Sequence, residues 1–240
     1  MKFILPIFVL LISCTSIAQS LSDCQQCSQQ KISTQDLKNK SADELRLLVN
    51  EIYARHGYLF KESRYQDHFE SLNWYKAGID NSAIQLNPIE KQNIAYLQQQ
   101  ISFLTADRSN LLQSLKKFKT AFLSANTYDL QQQFHFKYSG NEDQKNLTLV
   151  LKQLDLNDIN WYKNKGIYEV VIDNGFVKIT YAITIENQFV HLIYNYMEHS
   201  SIMEDFDVYT NYRSETEHYL EWKFEWYNNQ LKYLRLNAAG

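Results

Sequence analysis

The residues best able to do chemistry lie early in the chain. Tyr53-Ala54-Arg55-His56-Gly57 sets a guanidinium beside an imidazole, with Tyr58 next and Trp74 after a spacer. Arginine bonds carboxylate or phosphate in bidentate fashion, and flat aromatic rings stack on sugar faces. Arg55, His56, Tyr58 and Trp74 are therefore candidates for a shallow site for an anionic or sugar-like ligand. The competing reading is architectural. Tyr53 packs, Arg55 pairs with Glu51 one turn back, His56 satisfies a helix end and Gly57 permits a turn. General-base work by His56 would need a partner and a nucleophile that the sequence does not identify, so no catalytic residue is assigned.

Cys24 and Cys27 form the second group, in Asp23-Cys24-Gln25-Gln26-Cys27-Ser28. Haem attachment would need His where Ser28 stands. Zinc would need two further ligands, and a thioredoxin-type site would need a flanking strand and helix. A small local disulfide in an oxidising compartment is the plain reading. Further on, His191, His199 and His218 with Glu198 and Glu217 could converge on a metal, but none has the His-Glu-x-x-His spacing. Asp158, Asp173, Asp205 and Asp207 suit turns and loops better than acid–base pairs. Trp222, Phe224 and Trp226 alternate as core residues of a strand do. No metal and no cofactor is expected.

The elements that must position these groups follow from periodicity. Ser41 and Glu44 fit a capping box, and Leu45, Leu48 and Ile52 then share one helical face, widened by Val49 and Tyr53. Gly57 suits the left-handed position past the helix end. Tyr65, Phe69 and Leu72 mark a second short helix, with a polar loop over 77–86. Asn87-Pro88-Ile89-Glu90 starts a third, with the stripe Ile94, Leu97, Ile101 and Leu104. A break at Thr105-Ala106-Asp107 is expected, followed by another helix with Leu111, Leu115, Phe118 and Phe122 inward. Leu147, Leu151 and Leu154 suggest one more. Strict alternation over 177–185 and 220–226, and the turns Asn174-Gly175, Asn187 and Asn228-Asn229, predict an antiparallel meander.

The first residues carry an address. Met1-Lys2 is a short positive region and 3–12 an apolar run, too short to span a bilayer. Ser16-Ile17-Ala18 fits an ordinary cut before Gln19. Leu11-Ile12-Ser13-Cys14 resembles a bacterial lipobox that would lipidate Cys14. The ordinary cut is favoured because Cys14 is unusually close to the N-terminus. Either cut means export, to the periplasm or beyond, with the membrane touched only through a lipid on Cys14. The expected division is therefore 1–18 signal peptide (or 1–13 lipoprotein signal), 19–40 polar leader or tether, 41–106 helical domain and 107–240 α+β domain.

Tyr53-Ala54-Arg55-His56-Gly57, the following Tyr58-Leu59-Phe60-Lys61, Trp74-Tyr75 and Glu90-Lys91-Gln92-Asn93-Ile94 resemble the YARHG domain, a small bacterial extracellular module. The resemblance covers about 44–97. It implies an exported module of unknown biochemical activity, often joined to other domains, and carries over no catalytic residue. The C-terminal part is loosely similar to cystatin-like and nuclear-transport-factor-like domains in the order of its elements alone.

Composition sets the outer bounds. The 240 residues hold 24 Lys+Arg and 27 Asp+Glu, a net charge of −3, which argues against nucleic acid as a partner. Hydrophobic residues make up 45%, too many for a disordered chain. Only 6 Gly and 2 Pro leave no glycine-rich phosphate loop. The expected fold is α+β, a small N-terminal helical module followed by helices packed on a curved antiparallel sheet. The expected function is non-catalytic binding of an envelope component or another protein. The alternative is an enzyme with a pocket in 107–240.

Overall fold

The structure is a computed structural model that describes residues 21–138, 140–200, 203–205, 208–209 and 213–240. The expected signal segment, with Cys14, and Asp207 lie outside the described residues, as do the side chains of His199 and Asp205. The chain forms two compact units, 21–39 with 47–96 and 40–46 with 97–240. Among the described residues no helix is long and apolar enough to cross a membrane.

Helix α1 (Ala42–Ala54) begins at the expected capping box. Ser41 N donates to Glu44 Oε2 at 2.9 Å, and Glu44 N donates back to Ser41 Oγ at 3.2 Å. Leu48 and Ile52 are buried. The helix stops where His56 N and Gly57 N donate to Tyr53 and Ala54 carbonyls and Gly57 takes φ +76°. A second constraint holds Gly57. Its carbonyl accepts from Gly78 N at 2.7 Å, and a Cβ there would lie 3.0 Å from the Lys76 carbonyl oxygen. Helix α2 (Ser63–Glu70) buries Phe69 in a cluster with Ala54 and Tyr75.

Helix α3 (Pro88–Leu123) starts as its sequence dictates. Asn87 Oδ1 accepts from Ile89 N and Glu90 N at 2.8 and 2.9 Å, and Glu90 Oε2 accepts from Asn87 N at 2.8 Å. The expected break at Thr105-Ala106-Asp107 is absent, and α3 runs through it. None of the three is Gly or Pro, and Asp107 is held by the Trp226 indole, which donates to its Oδ1 at 2.9 Å.

The segment 21–39, expected as part of a polar leader or tether, is bonded to residues at the start of α3. Asn93 Nδ2 donates to the carbonyls of Cys27 and Gln30, both at 2.8 Å, and Ile32 N donates to Asn93 Oδ1 at 2.9 Å. Asn87 Nδ2 donates to Ser28 O at 3.0 Å. Low apolar content gives this segment a loose reading, but its order comes from the disulfide Cys24–Cys27 and two asparagine side chains, Asn87 at the cap of α3 and Asn93 on it.

The second unit is the expected α+β arrangement. Helix α4 (Thr127–Phe134), capped by Asn126, was not legible because eight residues offer only Leu130 and Phe134 as a buried pair. Helix α5 (Asn141–Gln153) buries Leu147, Val150 and Leu151. Strands β1 (Asn160–Tyr162), β2 (Lys165–Asp173), β3 (Val177–Glu186), β4 (Phe189–Ser200), β7 (Arg213–Tyr227) and β8 (Gln230–Ala239) form one sheet in that order, each pair antiparallel. A two-stranded ladder, β5 (Met203–Asp205) with β6 (Val208–Tyr209), interrupts the run. Register sets Ile183, Leu192 and Trp222 in one buried row. Helix α5 lies against β3 and β4, and α4 against β8. Phe118 meets Phe224 edge to face at 4.8 Å. The turn residues Asn187, Asn228 and Asn229 all have positive φ.

The two glycine turns separate two causes of strain. At Gly175, φ is +85° but nothing lies within 4 Å of a built Cβ. Gly175→Ala should lose about 1–2 kcal/mol for the left-handed backbone alone. Gly57→Ala should lose more, because the Cβ also meets the Lys76 carbonyl. Urea unfolding of both variants checks the order.

Candidate functional site

The charged residues of the pentapeptide lie at the surface, but each bonds a buried acid. Arg55 Nε and Nη2 donate to Glu51 Oε1 at 3.1 and 2.5 Å. The next residue, His56, bonds Glu90 Oε1 through Nε2 at 2.8 Å. Glu51 and Glu90 are 7% and 3% exposed, and each has its own partner. The Arg55 guanidinium also lies 4.5 Å over the Trp74 ring. Ala54 is buried against Phe69 and Tyr75. Arg55, His56 and Glu90 line a small cleft of about 160 Å³ together with Cys24, Cys27, Ser28 and Ile52.

Tyr58 belongs elsewhere. With Asn50, Tyr53, Phe60, Lys61, Glu62 and Tyr65 it lines a groove of about 570 Å³. Its rings are fixed from behind. Phe60 stacks on buried Phe69 at 5.0 Å, Tyr58 meets Phe60 at 4.9 Å and Tyr53 at 5.6 Å, and the Tyr75 hydroxyl donates to the Tyr58 carbonyl at 2.6 Å. The four candidates therefore do not form one site. Arg55 and His56 face the cleft, Tyr58 faces the groove, and Trp74 lines neither. Reading the motif alone missed Asn50, Phe60 and Tyr65. The signal was the run of aromatics on both sides of Gly57, since α1's last turn and the following strand-like segment fold back on each other there.

In the second unit, alternation puts His191 on the sheet face opposite Val190 and Leu192. Its Nδ1 is 2.5 Å from Glu221 Oε1, and the Tyr219 hydroxyl donates to Glu221 Oε2 at 3.1 Å. Glu217 and Glu198 are exposed, and Glu198 accepts from the Tyr196 hydroxyl. His218 Nε2 is buried without a hydrogen bond to any described residue. Among the described residues no group of three or more His, Cys, Asp or Glu could hold a metal. Asp173 serves its turn by accepting from Gly175 N. Trp222, Phe224 and Trp226 are core.

Burial alone would raise the Glu221 carboxyl, but hydrogen bonds from His191, Tyr219 and Asn237 and the His191 charge outweigh it and hold the group below its ordinary range. Burial, the Glu221 charge and the Glu221 hydrogen bond push Tyr219 from 10 up to about 12. The neutral phenol is thus favoured in the folded state. Its contribution is complete below pH 10 and disappears as pH climbs through about 12. Alkaline titration followed at 295 nm should show one phenol ionising near that upper value. In Glu221→Gln that phenol should move back toward 10, with folding lost at lower pH.

The YARHG domain family matches residues 22–102, which takes in the disulfide segment as well as α1, α2 and the start of α3. No curated protein and no solved structure matches the chain. The module is of the extracellular type. With its pentapeptide turn intact and its capped helices in place, the chain carries a YARHG domain over residues 22–102.

Proposed function

We propose that this is an exported, non-catalytic protein of the cell envelope, and that its YARHG unit binds an envelope component or another protein through the groove of Tyr53, Tyr58, Phe60 and Tyr65. The groove carries the proposal. It is concave, its rings are held rigidly, and its volume of about 570 Å³ is within the roughly 300–1,000 Å³ usual for ligand sites. Arg55 and His56, by contrast, are engaged by buried carboxylates, so their role is to hold the turn. The signal-like 1–18 and the Cys24–Cys27 disulfide support export to an oxidising compartment. An anchor through Cys14 is the variant form of the same proposal.

The second unit is read as a scaffold or second interaction surface. Its helix–sheet interface is filled by Phe118, Phe136, Trp222 and Phe224, all buried. That packing supports the non-catalytic reading over an enzyme with a closed pocket there.

Two experiments test the proposal. On immobilised envelope extract, Tyr58→Ala should lose retention while remaining folded. Arg55→Ala should lose about 2–4 kcal/mol of unfolding free energy, because Glu51 is left buried without its partner. At a temperature where Arg55→Ala is folded, it should still be retained; retention of Tyr58→Ala would refute the groove. Metabolic labelling with a fatty-acid analogue, with and without Cys14→Ser, decides the anchor: label lost in the variant means lipidation, and no label in either means the ordinary cut.

A further inference from the structure

The groove on the YARHG unit has the chemistry of a saccharide site, and we propose that it binds a polysaccharide strand of uncharged sugar rings. This rests on the reading that the unit binds through that groove. A sugar ring has an apolar C–H face and an edge of hydroxyls, so its site needs flat aromatic surface beside unsatisfied polar groups. Both are present. Tyr53, Tyr58, Phe60 and Tyr65 are half-buried and line one cavity. The hydroxyls of Tyr53 and Tyr58, the Asn50 amide and the Lys61 ammonium make no hydrogen bond to any described residue. They are therefore open to a ligand at no loss of internal bonds.

Charge narrows the class. The groove's charged side chains are Lys61 and Glu62, one of each sign; Arg64, which lies 4.5 Å over the Tyr65 ring at its border, is paired with Glu62. With that cation engaged, Lys61 alone does not make the converging set that the phosphates or carboxylates of an anionic polymer call for. Rigidity adds to the case. Phe60 N donates to Gln66 Oε1 at 2.8 Å, and the ring behind it is the buried Phe69, so binding orders little that is not already ordered. Aromatic grooves also receive proline-rich peptides. Such a peptide offers carbonyl acceptors but few N–H donors, whereas sugar hydroxyls both donate and accept and so match both ends of the Asn50 amide and the tyrosine hydroxyls, which favours the sugar.

The test uses the mature full-length chain in calorimetric titrations with chitohexaose, cellohexaose and a proline-rich decapeptide. At least one hexasaccharide should bind saturably. Tyr58→Ala and Asn50→Ala should each weaken it by about ten-fold or more. Tyr162→Ala, an exposed tyrosine of β1, should leave it unchanged. Asn50→Ala leaves the rings in place, so it keeps the test decisive should Tyr58→Ala unfold. Absence of saturable binding by both hexasaccharides overturns the proposal, as does binding that Asn50→Ala does not weaken. Saturation by the peptide and by neither hexasaccharide overturns the ligand class, while envelope retention that depends on Tyr58 would leave the binding role of the groove standing.

Discussion

Two buried carboxylates, Glu51 and Glu90, dictate how the YARHG unit is built. A carboxylate taken out of water must be met by a cation or by hydrogen-bond donors, or it destabilises the fold by several kcal/mol. Consecutive residues of one turn supply both partners. Arg55 reaches back to Glu51 within α1, and His56 reaches forward to Glu90 at the start of α3. The second oxygen of Glu90 accepts from Asn87 N, so the same carboxylate caps α3. Asn87 and Asn93 then hold the carbonyls of the disulfide segment. One polar chain thus ties together the end of α1, the start of α3 and the Cys24–Cys27 turn. Gly57 lets the backbone leave that turn in the left-handed region, close against 76–78.

This arrangement decides where function can lie. A guanidinium and an imidazole in a short motif invite a catalytic or anion-binding reading. Here each is already bonded to a buried acid of the same unit. Beside them the turn carries half-buried aromatic surface that no such bond occupies. Tyr53 stands just before the charged pair and Tyr58 just after Gly57, and Phe60 and Tyr65 complete their groove. The motif's charges act as structure and its flanking rings as surface. In the second unit a comparable polar group, His191 with Glu221 and Tyr219, lies on the sheet face away from the core of Phe118, Trp222 and Phe224.

Local chemistry made much of this visible in the sequence. Ser41 with Glu44, and Asn87 with Glu90, are caps whose donors and acceptors lie within three residues, so the residue types alone specify them. The alternating runs 177–185 and 220–226 announce themselves because one face meets the core, and the asparagine turns because few other residues tolerate positive φ. The pairing of Arg55 with Glu51 was legible for the same reason, being one helical turn apart. What escaped was long-range. His56 meets Glu90 across 34 residues, and Asn93 meets Cys27 across 66. No periodicity encodes either contact, so 21–39 read as a leader and Tyr58 was grouped with Arg55 rather than with Phe60 and Tyr65. The missing break at 105–107 has a similar cause: Asp107 is fixed by Trp226, 119 residues away.

Arg55 and His56 of the pentapeptide satisfy two buried acids. The sharpest probe of that role is a double-mutant cycle on His56→Gln and Glu90→Gln in the full chain, read from urea unfolding. The two substitutions should be strongly non-additive, with a coupling of about 1–3 kcal/mol. Additive losses, or two variants as stable as the parent, would contradict that role and leave His56 as a surface group free for a ligand.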